Sequence, residues 1–281
     1  MWTSNDWKDY ELIDAASGQR LERWGGELFV RPDPTCIWEN DTSWENVAAR
    51  YHRSDKGGGN WEFYKKLPPE WTLSYKDMTF KVKPMGFKHM AVFPEQAVNW
   101  DWMGELIQGA EREIRVLNLF AYTGCASVAA AKAGAHVCHV DASKGMVQMA
   151  KENADLSGVS RDKIRYIVDD CKKFVTREVN RGKRYEGIIL DPPSYGRGPG
   201  GEVWKIEDEL WGLLQLCKKV LSDKPLFVLL NSYTTGLSVG AVENLMKLVF
   251  GNRVTADEIG LPITRNGLNL PCGASGRWIN D

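Results

Sequence analysis

The chain contains no CxxC pair among its six cysteines, Cys36, Cys125, Cys138, Cys171, Cys217 and Cys272. Scattered cysteines argue against a zinc site or a disulfide framework and for a reducing, cytoplasmic compartment. No run of 18 apolar residues occurs, which excludes an ordinary transmembrane helix and predicts no membrane partner. The opening Met1-Trp2-Thr3-Ser4-Asn5-Asp6 lacks a basic stretch followed by an apolar one, so it does not read as a signal peptide. No charge of one sign dominates: the net charge is -1, so any nucleic-acid surface has to be local. The three-glycine dinucleotide fingerprint G-x-G-x-x-G is missing as well. What remains is 281 residues with 43% hydrophobic and 26% charged content, enough for one or two packed domains.

Aromatic content is uneven. Nine of the 12 tryptophans precede residue 103. This first third reads as short strands broken by turns: Glu11 to Asp14, Leu21 to Trp24 and Leu28 to Val30, separated by Ser17-Gly18 and Gly25-Gly26, with Thr79 to Lys83 a further strand. A small antiparallel β domain over 1–85 is expected, its tryptophans serving mainly as packing; a stacking platform for nucleic acid is the alternative.

From about residue 110 strands alternate with helices. Strands are expected at Val116 to Phe120, Ala135 to Val140, Ile164 to Val168, Gly187 to Leu190 and Leu226 to Leu230. Helices are expected at Ser127 to Ala133, Ser143 to Leu156, Cys171 to Asn180, Ile206 to Leu221 and Val239 to Phe250. Two last strands are placed near Arg253 to Gly260 and Arg277 to Asn280. This α/β rhythm predicts a Rossmann-like, doubly wound parallel sheet in a domain over 86–281, with ligands beyond the strand carboxyl ends.

Four loops carry the chemistry, three of them for a bound nucleoside. The first, Asn118 through Phe120, Ala121, Tyr122, Thr123 and Gly124 to Ser127, joins small residues to a helix start, where free amides suit a carboxylate or phosphate. Asp141, 17 residues after Gly124, is placed to accept hydrogen bonds from ribose hydroxyls, with Ala142 and Ser143 following it. Asp169-Asp170 and Cys171 follow the third strand, where a carboxylate receives an adenine amino group. Together the loops describe a held nucleoside, and a single glycine leaves little room for a pyrophosphate. After the fourth strand, Asp191-Pro192-Pro193-Ser194-Tyr195 fixes the backbone and leaves carbonyl and carboxylate acceptors beside a flat ring.

Asn118 to Gly124, Asp141, Asp170 and Asp191-Pro192-Pro193 resemble the motifs of class I S-adenosylmethionine-dependent methyltransferases. They are closest to the bacterial large-subunit ribosomal RNA methyltransferases with an Asp-Pro-Pro-Lys-Phe loop. The resemblance covers roughly residues 80 to 281 and includes His89 to Gln96. It implies a seven-stranded core and S-adenosylmethionine as cofactor. It also implies Gly124 near the methionine part, Asp141 on the ribose, Asp170 near the adenine, Asp191 to Pro193 facing the methyl group and Gln96 closing the site. Three departures stand out. The tryptophan-rich region is expected to take the place of the RNA-binding PUA domain such enzymes often carry, Ser194 replaces the lysine, and Asn231-Ser232-Tyr233-Thr234 lacks the cysteine that attacks cytosine. Transfer to nitrogen or oxygen is therefore favoured over carbon. The proposed catalytic set is Asp191, Pro192 and Tyr195, with no metal.

Nine Lys or Arg against four acids between Arg161 and Arg184 offer a surface for RNA phosphates, which makes ribosomal or other RNA the expected partner. A homo-oligomer is compatible with the sequence. The alternatives are a small molecule or protein side chain as acceptor, an NAD-dependent oxidoreductase, and a binding protein on the same fold.

Overall fold

The computed structural model describes residues 1–4, 6–39, 43–54, 58–198, 200–234 and 236–280. It divides into two compact units, Met1–Ala97 with Gly260–Cys272, and Val98–Ile259 with Gly273–Asp281. The first unit thus takes in residues beyond the expected 1–85 span. Its late segment belongs there because it pairs with the early strands: Thr264 N–H donates to the Leu12 carbonyl at 3.0 Å, and Arg265 binds Asp14 at 2.8 Å.

The first unit contains β1 (Trp2–Thr3), β2 (Tyr10–Ala16), β3 (Gln19–Trp24), β4 (Glu27–Pro32), β5 (Ala49–Arg53), β6 (Gly59–Phe63), β7 (Trp71–Tyr75) and β8 (Met78–Val82). Strands β2 to β6 form one sheet in sequence order, antiparallel except where β4 and β5 run parallel. β7 and β8 form a separate hairpin. Its core is aromatic: Trp24, Phe29, Tyr75 and Phe80 are fully buried, and Trp71 stacks on Phe29 at 5.7 Å. Trp24 and Trp71 serve packing, as alternation on β3 and β7 directs them inward.

A charge cluster lies inside this unit. Glu22 receives a two-pronged hydrogen bond from Arg31, at 2.5 and 2.7 Å, and one from the Tyr10 hydroxyl at 2.8 Å. Burial alone would raise the Glu22 carboxyl, but Arg20 and Arg31 beside it, with those hydrogen bonds, hold it from 4.5 down to about 2. A carboxyl depressed in the fold contributes stability above its unfolded value and loses it as it protonates. Urea midpoints of the chain should therefore fall as pH drops from 4.5 toward 2, and Glu22→Gln should flatten that slope. An unchanged slope would contradict the assignment.

The remaining elements are α1 (Ala97–Gly109), β9 (Arg115–Leu119), α2 (Cys125–Lys132), β10 (His136–Asp141), α3 (Lys144–Leu156), β11 (Ile164–Val168), α4 (Cys171–Asn180), β12 (Gly187–Leu190), β13 (Tyr195–Arg197), β14 (Val203–Lys205), α5 (Ile206–Val220), β15 (Phe227–Ser232), α6 (Val239–Phe250), β16 (Val254–Pro262) and β17 (Asn269–Ile279); they make up the second unit, except that Ala97, the residues of β16 from Gly260 and those of β17 up to Cys272 count with the first. In the large sheet β16, β17, β15, β12, β9, β10 and β11 stand in that order, parallel from β15 to β11 with β17 antiparallel to β15. The expected α/β sheet and its five central strands are present. β16 and β17 are longer than predicted, and α1 has no counterpart among the predicted helices.

Alternation along the strands explains the layers. Leu117, Leu119, Cys138 and Val140 join a core with Phe174 of α4, Leu213 and Leu214 of α5 and Met246 of α6. The intervening Asn118 and His139 meet Ser127 of α2 instead. From β9 the chain lays β10 and β11 to one side, then crosses to place β12 on the other. That reversal separates the loops after β9 and β12 and opens a crevice at the strand carboxyl ends.

Candidate functional site

The loop after β9 is strained. Phe120, Tyr122 and Gly124 all take positive φ, at 55°, 49° and 81°. Non-glycine residues rarely hold that conformation unless their surroundings impose it, and such strain concentrates at functional sites. The surroundings here are identifiable. Tyr122 N–H donates to Asp141 Oδ2 at 2.8 Å, and Ser143 N–H donates to Asp141 Oδ1 at 2.8 Å. Ala121 N–H reaches the Val140 carbonyl at 3.1 Å, and Asn153 Nδ2 donates to the Thr123 carbonyl at 2.8 Å. Phe120 N–H points at Cys171 Sγ, 3.3 Å away.

Asp141 is thus the tie between the β9 and β10 loops. Burial raises its carboxyl above the usual range, partly offset by the two backbone amides. Each oxygen keeps a lone pair for a further donor. Ser143 caps α3 as predicted, its hydroxyl accepting from Met146 N–H, and Ala142 is half-buried between the two.

At Gly124, where a Cβ would stand, Ala150 Cβ lies 2.6 Å away and Ala150 Cα 3.1 Å away. The missing side chain admits α3 to close approach. Gly124 also leaves α2 without a side-chain cap, so the first-turn amides of that helix are not masked by one.

Asn118 lies below the loop. Its amide donates to Ser127 Oγ at 2.9 Å, and that hydroxyl meets His139 Nδ1 at 3.0 Å. Burial pushes His139 down to about 3, so the ring is neutral. Ser127 belongs to the loop singled out in the sequence; His139, Ala150 and Asn153 were not among the expected site residues. The signal was a run of polar or small residues at positions the strand and helix periods assign to the interior.

Asp170 caps α4, its Oδ1 accepting from Lys173 N–H at 2.8 Å. It also stands on the wall of a cavity of about 480 Å³ shared with Lys173, Arg177, Glu202 and Trp204. Cys171 is buried beneath Phe120. Gln96 lies in the first unit, buried in the short turn Pro94–Gln96.

On the other side of the crevice, Asp191 N–H donates to the Leu119 carbonyl at 3.4 Å, joining the ends of β9 and β12. Asp191 is half-buried and Pro192 buried, while Tyr195 is 52% exposed. The Pro193 carbonyl is already taken by Trp204 Nε1 at 2.7 Å, and Ser194 Oγ meets Thr234 Oγ1 at 2.6 Å. β13 pairs with β14 so that Tyr195 opposes Lys205, and Trp204 leans on Phe120 with ring centres 4.8 Å apart. One aromatic contact therefore couples the two loops.

The basic stretch after Arg161 is weaker than its count. Lys172 pairs with Glu209, Lys173 with Glu202, Arg177 with Asp169 and Arg181 with Glu178. Glu202, just before β14, and Glu209 of α5 thus join the local Asp169 and Glu178 in pairing four of these cations. Among the described residues no helix is long and apolar enough to cross a membrane, and no cluster of three or more metal-ligating side chains occurs.

Known proteins share this arrangement. A crystal structure of a SAM-dependent methyltransferase from Agrobacterium tumefaciens is 37% identical, covers 99% of this chain and 93% of its own, and superposes with a TM-score of 0.94. The ribosomal RNA large subunit methyltransferase K/L of Shewanella frigidimarina is 30% identical over 68% of this chain, and that of Pseudoalteromonas translucida 28% over 67%. This chain spans about a quarter of the length of those two proteins, 25% and 26%. The family described as S-adenosylmethionine-dependent methyltransferase matches residues 36–230, and the chain belongs to that family.

Proposed function

We propose that the chain transfers a methyl group from S-adenosylmethionine to a nucleobase of RNA, ribosomal RNA foremost, in the cytoplasm. The observation that carries the cofactor site is the Asp141 carboxylate, which pins two strained loops and retains acceptor capacity toward ribose hydroxyls. The uncapped start of α2 suits the methionine carboxylate. Ala142 would border the adenine, and Asp170, already a helix cap, would accept from its amino group. When bound, the cofactor supplies an electrophilic methyl on a good leaving group, so the protein's share is positioning. Asp191 and the Pro192 carbonyl would orient the acceptor amine, and Tyr195 would stack on its ring.

Acceptor chemistry follows from the thiols. Burial raises all six cysteines, Cys36 and Cys138 to about 11 and Cys125 to about 12, with Cys171, Cys217 and Cys272 also pushed up. A thiol kept protonated is a poor nucleophile toward a pyrimidine ring. Direct transfer to nitrogen or oxygen fits better than carbon methylation through a covalent adduct. RNA is favoured over a small molecule because the K/L relatives act on ribosomal RNA by name.

The reading is tested by incubating the chain with labelled S-adenosylmethionine and total RNA from a strain lacking the gene, followed by nucleoside mass spectrometry. Label in one modified nucleoside is expected; no label in RNA would sink the substrate assignment. Asp141→Ala should weaken cofactor binding by about tenfold to a hundredfold, the loss of one or two charge-assisted hydrogen bonds. An unchanged dissociation constant by calorimetry would count against its role.

A further inference from the structure

The first unit carries an aromatic surface that its own packing does not use up. Fully buried Phe29 meets the edge of Trp61 with ring centres 5.9 Å apart, and buried Tyr51 does so at 5.4 Å. The row then continues into solvent. Phe63 lies 6.3 Å beyond Trp61 and is 52% exposed. Trp61 Nε1 donates to the Met85 carbonyl at 2.9 Å and the Phe87 carbonyl at 3.3 Å, tethering the loop on which Phe87 is 66% exposed. Two large rings are thus held toward water on a fixed support.

Cations border them. Alternation along β5 puts Arg53 on the same face as Ala49 and Tyr51, and Lys88 follows Phe87 directly. Among the described residues no carboxylate forms an ion pair with either. Burial, then Arg20, pushes Lys88 down to about 8 against the opposing pull of Asp33, with Arg31 and Arg53 adding to the fall. Lys88 Nζ is already held by the Pro32 carbonyl at 3.3 Å, so the exposed Arg53 is the cation open to a phosphate. Flat rings near an exposed cation match the chemistry of single-stranded nucleic acid, whose bases stack while its phosphates meet the charge. An apolar protein segment would use the rings and waste the cation.

We propose that Trp61, Phe63 and Phe87, with Arg53 nearby, form a stacking platform for a single-stranded stretch of the RNA substrate. The inference rests on RNA being the acceptor.

The test is fluorescence anisotropy of the full chain with S-adenosylhomocysteine and a labelled single-stranded RNA of about 12 nucleotides, inside the usual site size. The double variant Phe63→Ala, Phe87→Ala should weaken binding by about tenfold or more, as one stacked base is lost. Phe63→Trp should restore most of the affinity. Arg53→Glu should weaken binding and lower its dependence on salt. Both phenylalanines are exposed, so the thermal midpoint should hold, and calorimetry should show unchanged cofactor affinity. Wild-type affinity in the double variant would overturn the platform. If the wild type methylates RNA while that variant binds and turns over normally, the platform falls and the RNA reading stands. If the wild type methylates no RNA, the reading fails on its own assay and the platform with it.

Discussion

Asp191→Ala is expected to cut methyl transfer by about a hundredfold to a thousandfold while leaving S-adenosylmethionine affinity within about twofold. The magnitude is that of removing one preorganised electrostatic contact at the reacting centre. The separation of effects follows from the fold. Asp191 hangs from the end of β12, held to β9 by its own amide at the Leu119 carbonyl. The loops proposed to grip the cofactor hang from β9 and β10. Deleting the carboxylate leaves that amide and the two following prolines in place, so the backbone stays put and the acceptor loses its orientation. Single-turnover kinetics beside calorimetry gives both quantities. Equal loss of turnover and cofactor binding would show that Asp191 acts as a structural tie.

Gly124→Ala is expected to lower the unfolding free energy by about 2–5 kcal/mol, summing a left-handed residue with a side chain and an overpacked contact. Both causes are local. The φ of 81° disfavours any side chain, and the added methyl would stand 2.6 Å from Ala150 Cβ. Because the contact also reaches Ala150 Cα at 3.1 Å, α3 has to retreat rather than rotate a side chain. Cofactor affinity should fall with stability, since α3 also carries Asn153, which holds the Thr123 carbonyl. Adding Ala150→Gly should recover part of the loss, removing the clash while leaving the backbone strain. Urea unfolding across the four variants isolates the coupling. An unchanged midpoint in the single variant would refute the packing argument.

The parts of this molecule that sequence reveals are those governed by local rules. Ser143 is an N-cap because its hydroxyl reaches Met146 three residues on, and Ile164 to Val168, Gly187 to Leu190 and Val239 to Phe250 follow their apolar periods to the residue. The order of loops after β9, β10 and β12 was legible for the same reason, since alternating strands and helices leave few topologies. Long-range partners were not. The packing of Ala150 on Gly124 was hidden because the two lie 26 residues apart in sequence. The cations after Arg161 read as a phosphate surface because Glu202 and Glu209 arrive only when α5 packs on α4. Helix α1 was hidden by Trp100 and Trp102, which read with the other tryptophans as β-domain packing. The late hairpin of the first unit was hidden because Ile263 pairs with Leu12 from the far end of the chain.

Everything proposed about catalysis depends on where an adenosyl ligand settles, and a crystal grown with S-adenosylhomocysteine measures that directly. The expected density has ribose hydroxyls on the Asp141 carboxylate, the amino-acid end at the start of α2 and the sulfur turned toward Asp191. Density in another crevice, or a ribose with no contact to Asp141, would contradict it.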